Sequence, residues 1–550
     1  NVKITNNLIG TNSSGTATGT GLANLGNGIR LNAASGLDNS TGSIEIMGNV
    51  ISGNGDSILD HGINLTNTNS NIFIVNNKIG VETDGVTDFS NTGHGISFSS
   101  STTITEVSGN TIAYNDLDGI FFDNQSAVGA NVGIGANSYF CNVNDAINFE
   151  NIPTVDAPII STVDDTGITG TSAAADGSTV DIYEIDPSCA DNQGASYVGF
   201  AIVQADNSWA YGNGGNPANT YVATVTDLTN GISEFSAAFN APPTVVISTL
   251  ATDPTNVSPF EVTMTFNEVV TSFITDDIIV GNGSASNINT GDNIVFTADI
   301  TPSLDGTVTV EMLAGIVVDL AGNPNDASNQ LSLVYDGTLP LIDFVTLVSD
   351  NSSITVDFTE GVYANANGTG DLIDSDFNVS ITGGVATLNS SNVSHTAGNA
   401  QATFTLSYTG TPNRNETISI VPFNGSSIYD AAGNTMEVTQ TGNTASLNDE
   451  LAPTLSSVSI GLDPSGNPSY AQPADVVVIA FTSSEDITNI STTLLSGGDP
   501  VTNTAPDVTG GPINWNIRYG PSGADTDGLY TFTIDFEDLE GNAGTQVTTV

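Results

Sequence analysis

Short apolar runs alternate with polar residues through the first 150 positions, as in Ser43-Ile44-Glu45-Ile46, Asn71-Ile72-Phe73-Ile74 and Thr103-Ile104-Thr105. A period of two predicts strands rather than helices. Gly and Asn stand at the strand ends, where the backbone turns left-handed. Two phrases travel with these strands. The first is Asn, any residue, then an apolar residue: Asn7-Leu8-Ile9, Asn49-Val50-Ile51, Asn77-Lys78-Ile79, Asn110-Thr111-Ile112 and Asn137-Ser138-Tyr139. The second is a small residue before Ile: Gly28-Ile29, Gly62-Ile63, Gly95-Ile96, Gly119-Ile120 and Ala146-Ile147. Copies lie 24 to 42 residues apart. Strands this short cannot bury themselves, but stacked on their neighbours they can. The result is a solenoid whose rungs touch only the rungs above and below. The repeated Asn then occupies one corner of every rung, where stacked amides can bond each other and the turn backbone.

These five copies resemble the right-handed parallel β-helix of pectate-lyase-like folds and of many bacterial surface proteins. The resemblance covers residues 1–150 and speaks to fold rather than function. The repeat begins inside a rung at Asn1, and Thr548-Thr549-Val550 ends on a strand-like run. We therefore expect a processed chain or a fragment, with more solenoid upstream.

After Glu150 the texture changes to segments rich in Val, Thr, Ile and Ser, with Pro153, Pro158, Pro242-Pro243, Pro340 and Pro453 at the joints. Segment size and strand spacing predict four sandwiches with immunoglobulin-like (Ig-like) topology over 151–241, 242–338, 339–450 and 451–550. The expected fold is thus all-β: a right-handed parallel β-helix followed by four Ig-like β-sandwiches. Three segments share Asp-x-x-Gly-Asn near their ends, at Asp319–Asn323, Asp430–Asn434 and Asp538–Asn542. The first has a looser copy, Asp227-Leu228-Thr229-Asn230-Gly231. Earlier, an apolar strand ends in Phe and then Glu: Phe266 and Glu268, Phe358 and Glu360, Phe481 and Glu485. This pairing resembles the bacterial Ig-like domains strung along large secreted adhesins.

Such a sandwich implies a geometry. The Glu falls at the end of strand B and the Asp in the F–G turn, at the end where the chain enters. Linkers add Asp156, Asp336, and Asp449 with Glu450. Carboxylates from three chain segments would converge at each joint, a flexible set of hard oxygen ligands that suits Ca²⁺ and would otherwise repel itself. The candidate ligands are Glu268, Asp319, Asp336, Glu360, Asp430, Asp449, Glu450, Glu485 and Asp538. The second sandwich, entered through Ala241-Pro242-Pro243, lacks a linker acid, so its site is expected to be weaker. The competing reading makes Asp-x-x-Gly-Asn a turn and nothing more. Neither an EF-hand loop nor the Gly-rich calcium nonapeptide is present.

Charge narrows the partners. Sixty acids face five bases, Lys3, Arg30, Lys78, Arg414 and Arg518, for a net charge of −55. Nucleic acid and anionic membranes are excluded as partners, since both need Lys and Arg. No run of 18 apolar residues occurs, so no membrane helix is expected. Residues 1–150 hold 13 of the acids and the remainder hold 47. Disorder is the usual reading of such charge, but 38% of residues are hydrophobic and they alternate. Cys141 and Cys189 are a candidate disulfide between solenoid and first sandwich; two buried free thiols is the alternative.

β-Helices often cleave polysaccharides, which needs clustered carboxylates, usually with a Lys or Arg base nearby. His61, His94, Asp118 and Asp145 all occupy the position before the small residue, where the first rung has Asn27. One recurring corner is a turn preference rather than an active site. Asp56, Ser57 and Asp60 beside His61 read as a polar loop, Lys78 as an outward solvated residue, and His395 stands alone. Trp209 and Trp515 read as core, with sugar stacking at Trp209 and Tyr211 the lesser reading. The expectation is a secreted, non-catalytic bacterial cell-surface adhesin on a calcium-stiffened rod. It would bind surface polysaccharide or another extracellular ligand, with no membrane insertion, as part of a larger surface assembly. Its plan resembles the adhesins that gliding bacteria export by the type 9 route. A carbohydrate-active β-helix enzyme with Ig-like spacers and a purely structural stalk are the alternatives.

Overall fold

The structure, a computed structural model, describes all residues except 17–23, 33–41, 68–70, 100–103, 124–132, 151–153, 190–191, 228–229, 464–469, 474, 503–505 and 549–550. Thr103, Pro153, Leu228, Thr229, Thr549 and Val550 thus lie outside the described residues. The chain forms two compact units. One is Asn1–Leu250 with Pro259–Thr301 and Thr309–Ser332; the other is Ala251–Ser258 with Pro302–Val308 and Leu333–Val550. Among the described residues no helix is long and apolar enough to cross a membrane.

The first phrase and its neighbours build three parallel sheets, each of five strands. One contains Val2–Thr5, Ser43–Met47, Asn71–Val75, Ile104–Ser108 and Ile134–Gly135. The second runs through Leu8–Ile9, Val50–Ile51, Lys78–Ile79, Thr111–Ala113 and Ser138–Phe140. The third stacks Ile29–Asn32, Ile63–Thr66, Ile96–Ser99, Ile120–Phe122 and Ile147–Phe149. Register keeps like over like. Ile63 pairs Ile96, which pairs Ile120, which pairs Ile147. Phe98, Phe122 and Phe149 stack with ring centroids 5.0 and 4.8 Å apart. These columns fill one buried core, and each fully buried Ile or Phe contributes about 1.5–3 kcal/mol relative to exposure.

Close stacking explains the small residue of the second phrase. A Cβ on Gly28, Gly62, Gly95 or Gly119 would lie 2.7 Å from the carbonyl oxygen of Gly62, Gly95, Gly119 or Ala146 in the next rung. The last rung tolerates Ala146 because no rung follows it. The residue before each repeated Asn is left-handed: Asn6, Gly48, Asn76, Gly109 and Ala136 have φ of 57°, 66°, 57°, 64° and 53°.

The open end of such a stack would expose Ile134, Tyr139, Ile147 and Phe149, yet all are buried. Part of the first sandwich covers them, with Ile232 and Phe235 packed on the solenoid core and Tyr139 meeting Tyr183 edge-on. The Cys141–Cys189 disulfide forms across this junction.

Beyond it, each sandwich has two antiparallel sheets. In the second, the four-stranded sheet follows chain order first, second, fifth, fourth, through Val245–Thr249, Phe260–Phe266, Val295–Pro302 and Gly283–Thr290; its partner sheet has three strands. The third repeats this with Ile342–Leu347, Ser353–Phe358, Gln401–Thr409 and Thr387–Ser394. That is the ABED and CFG order of constant-type Ig folds. The fourth adds a strand beside C, and the first keeps three strands on its A–B–E side. Trp209 is buried in the first sandwich's core, as read from the sequence, and Trp515 packs half-buried against that of the fourth.

Candidate metal centres at the sandwich joints

Alternation in strand B puts Phe266 and Phe358 in their cores, which leaves Glu268 and Glu360 just beyond the strand end, in the B–C loop. The F–G turn brings the Asp. In all three turns the Gly is left-handed, with φ of 93° at Gly322, 93° at Gly433 and 98° at Gly541. The turn Asn closes it: the amides of Asn323, Asn434 and Asn542 each donate to Oδ1 of the turn Asp at 2.8 Å. Their Nδ2 atoms donate to the second carboxylate oxygen at 2.9, 2.7 and 2.7 Å. The motif is therefore a turn, and the turn does not compete with a metal, because Oδ2 of each turn Asp takes one donor and keeps a second lone pair.

Two joints assemble a full trio. Asp336, Glu360 and Asp430 place one carboxylate oxygen each within 4.8 Å of one another, and so do Asp449, Glu485 and Asp538. Ligands on opposite sides of Ca²⁺ stand about 5 Å apart, given bonds of about 2.3–2.6 Å. The hard oxygen donors and the spacing both fit such an ion. Asp430 and Asp538 are buried and their partners half-buried. Burial, then Asp430, Asp336 and Asp305, pushes the Glu360 carboxyl up to about 7. Glu485 is raised by burial, then by Asp449 and Asp538, and Asp336 by burial, then by Asp430 and Asp305. Each trio thus holds more negative charge than its surroundings tolerate.

The linkers are held in place. Asn434 Nδ2 donates to the Asp336 carbonyl at 2.8 Å and Asn542 Nδ2 to that of Asp449 at 3.0 Å. The Asp336 amide donates to the Thr255 carbonyl at 2.9 Å. Asp305, which sequence reasoning missed, takes the Gly337 amide at 2.8 Å.

Glu450 departs from the expected set. It turns to the third sandwich and accepts Asn351 Nδ2 at 2.8 Å, because consecutive linker residues face opposite ways. In the first sandwich Asp227 takes the Ala175 amide at 2.8 Å and the Asn230 amide at 2.8 Å, one on each carboxylate oxygen.

The solenoid's polar corner is occupied by its own backbone. Asn27 Oδ1 accepts the His61 amide at 2.9 Å, and His61 Nδ1 accepts that of His94 at 3.1 Å. His94 Nδ1 lies 3.1 Å from the Asp118 amide and 2.9 Å from Asp118 Oδ2; Asp118 Oδ1 accepts the Asp145 amide at 3.1 Å. The corner is thus a turn bonded from rung to rung. Lys78 is half-buried and donates to the Thr83 carbonyl, rather than standing free in solvent. His395 braces a loop between the Leu372 amide and the Asn399 carbonyl.

Residues 240–335 match a family of bacterial Ig-like domains. No curated protein matches the chain. Among solved structures, FdeC, an Escherichia coli adhesin, is 14% identical over 56% of this chain and 96% of its own, with a TM-score of 0.29. Invasin, a bacterial integrin-binding protein, is 11% identical over 72% of this chain and 78% of its own, also at 0.29. TM-scores this low carry neither fold nor function across.

Proposed function

We propose that the chain is the stalk-bearing part of a bacterial cell-surface adhesin, in which Ca²⁺ clamps the joints between Ig-like sandwiches. The two carboxylate trios carry this reading. Each takes one acid from the entering linker and two from loops of the sandwich entered. A cation in the trio ties linker to loops, so the joint stiffens as metal binds. At a net charge of −55, bound cations also relieve self-repulsion. The partner would be a surface polysaccharide or another extracellular ligand, with the chain secreted into a larger surface assembly. Export by the type 9 route of gliding bacteria is the narrower form of this reading. The enzyme alternative is weaker because the His61 and Asp118 side chains accept backbone amides of the next rung.

Melting the full chain at pH 8, with Ca²⁺ and with a chelator, tests the clamp. At a hundredfold excess over Kd, binding adds about 2.7 kcal/mol per site by mass action. A rise of several degrees is expected, reduced in Glu360→Gln with Asp430→Asn. The chelated chain should also melt lower at pH 8 than at pH 5. Glu360 titrates near 7 when folded against an ordinary 4.5, so its stabilising protonation is complete below that value and lost as pH rises through 7. A melt that ignores Ca²⁺ at pH 8 contradicts the clamp.

A further inference from the structure

We infer that Asn240, Glu268 and Asp319 form a third cation site, built on the same plan but with a carboxamide oxygen where the other joints have a linker carboxylate. The inference rests on the clamp proposed above and adds a graded affinity to it.

Hydrogen bonding defines the equivalence. At the two complete joints the turn Asn donates Nδ2 to the carbonyl of the linker residue, Asp336 or Asp449. At the entrance to the second sandwich, Asn323 Nδ2 makes that bond to the Asn240 carbonyl at 3.4 Å. Asn240 therefore stands where the others have Asp.

Its amide is oriented. Nδ2 donates away from the turn, to the carbonyls of Pro217 at 3.3 Å and Asn219 at 3.1 Å. Oδ1 faces the turn, 2.7 Å from Asn323 Nδ2, with a lone pair to spare.

Glu268 supplies the independent sign of a ligand. It is only 4% exposed, Asp319 is 3% exposed, and Glu268 Oε1 is buried without any hydrogen-bond partner. A buried carboxylate oxygen with no donor, beside a second buried carboxylate, is costly unless a cation or proton meets it. Two carboxylates and one amide suit the same hard divalent ions as the trios, at lower charge and so lower affinity.

Calorimetric titration of the full chain with Ca²⁺ at pH 8 decides it. Three sites are expected, two tighter and one weaker by about ten-fold or more. Asn240→Asp should tighten the weak site by about the same factor, and Glu268→Gln should remove it, with the tight pair unchanged in both. Two sites in the wild type, with neither variant changing the titration, overturn the third site and leave the clamp intact. No binding at all overturns both.

Discussion

Solenoid and sandwiches handle buried polar groups in opposite ways. In the solenoid, the corner side chains bond one another or the backbone from rung to rung. Asn7, Asn49, Asn77 and Asn110 each donate backbone N and Nδ2 to Oδ1 of Asn49, Asn77, Asn110 and Asn137 at 2.9–3.0 Å. A second column links Asn24, Asn54, Asn91, Asn115 and Asn142 by Nδ2 bonds of 2.8–2.9 Å. It ends on Gln193 of the first sandwich, whose Oε1 takes Asn142 Nδ2 at 2.7 Å. Neutral amides stacked this way close their own accounts. At the sandwich joints the carboxylates converge and leave charge for something else to neutralise. A repeat can satisfy itself; a joint, on the proposed reading, depends on a bound cation.

Breaking the junction that ends the solenoid should have the largest effect. The Cys141–Cys189 bridge spans 48 residues, which corresponds to about 4 kcal/mol of loop-closure stabilisation. Cys141→Ala with Cys189→Ala should lower the melting of the solenoid and first sandwich, and leave that of the third and fourth sandwiches where it was. Scanning calorimetry resolves the two.

A smaller effect sharpens the contrast in pH. Burial, then the neighbouring His94, lowers His61 to about 4 against an ordinary 6.5, with Asp60 opposing. A depressed base stabilises the fold above 6.5 and loses that contribution as pH falls through 4, here about 3 kcal/mol. His61→Asn keeps the acceptor and removes the titration. Between pH 6.5 and 4, denaturant unfolding of the wild-type solenoid should lose stability that the variant retains. The carboxylate joints run the other way, gaining from acid when no metal is bound.

The repeat was legible because stacking forces identity: the first Asn column and the small residue before Ile follow from contacts made in every rung. The second Asn column escaped reading, although Asn49 and Asn54, Asn110 and Asn115, and Asn137 and Asn142 keep one spacing. An insertion between Asn77 and Asn91 hides it. Gln193 could not be found this way, since its role depends on a domain packing at the solenoid's end. At the joints, the convergence of Glu360 with Asp430 and of Glu485 with Asp538 was legible from their spacing to strand ends. Asn240 was missed because a search for acids passes over an amide. Glu450 was chosen by adjacency to Asp449, and side-chain alternation sends it to Asn351 instead.

Hydrogen–deuterium exchange of the full chain at pH 8, with Ca²⁺ and with a chelator, tests the difference between the regions most directly. The account predicts that Ca²⁺ slows exchange in the loops around Glu360 and Asp430 and around Glu485 and Asp538, while the rungs between Asn49 and Asn142 exchange at the same rate in both. Equal exchange at the joints with and without Ca²⁺, or protection spread over the solenoid, would contradict it.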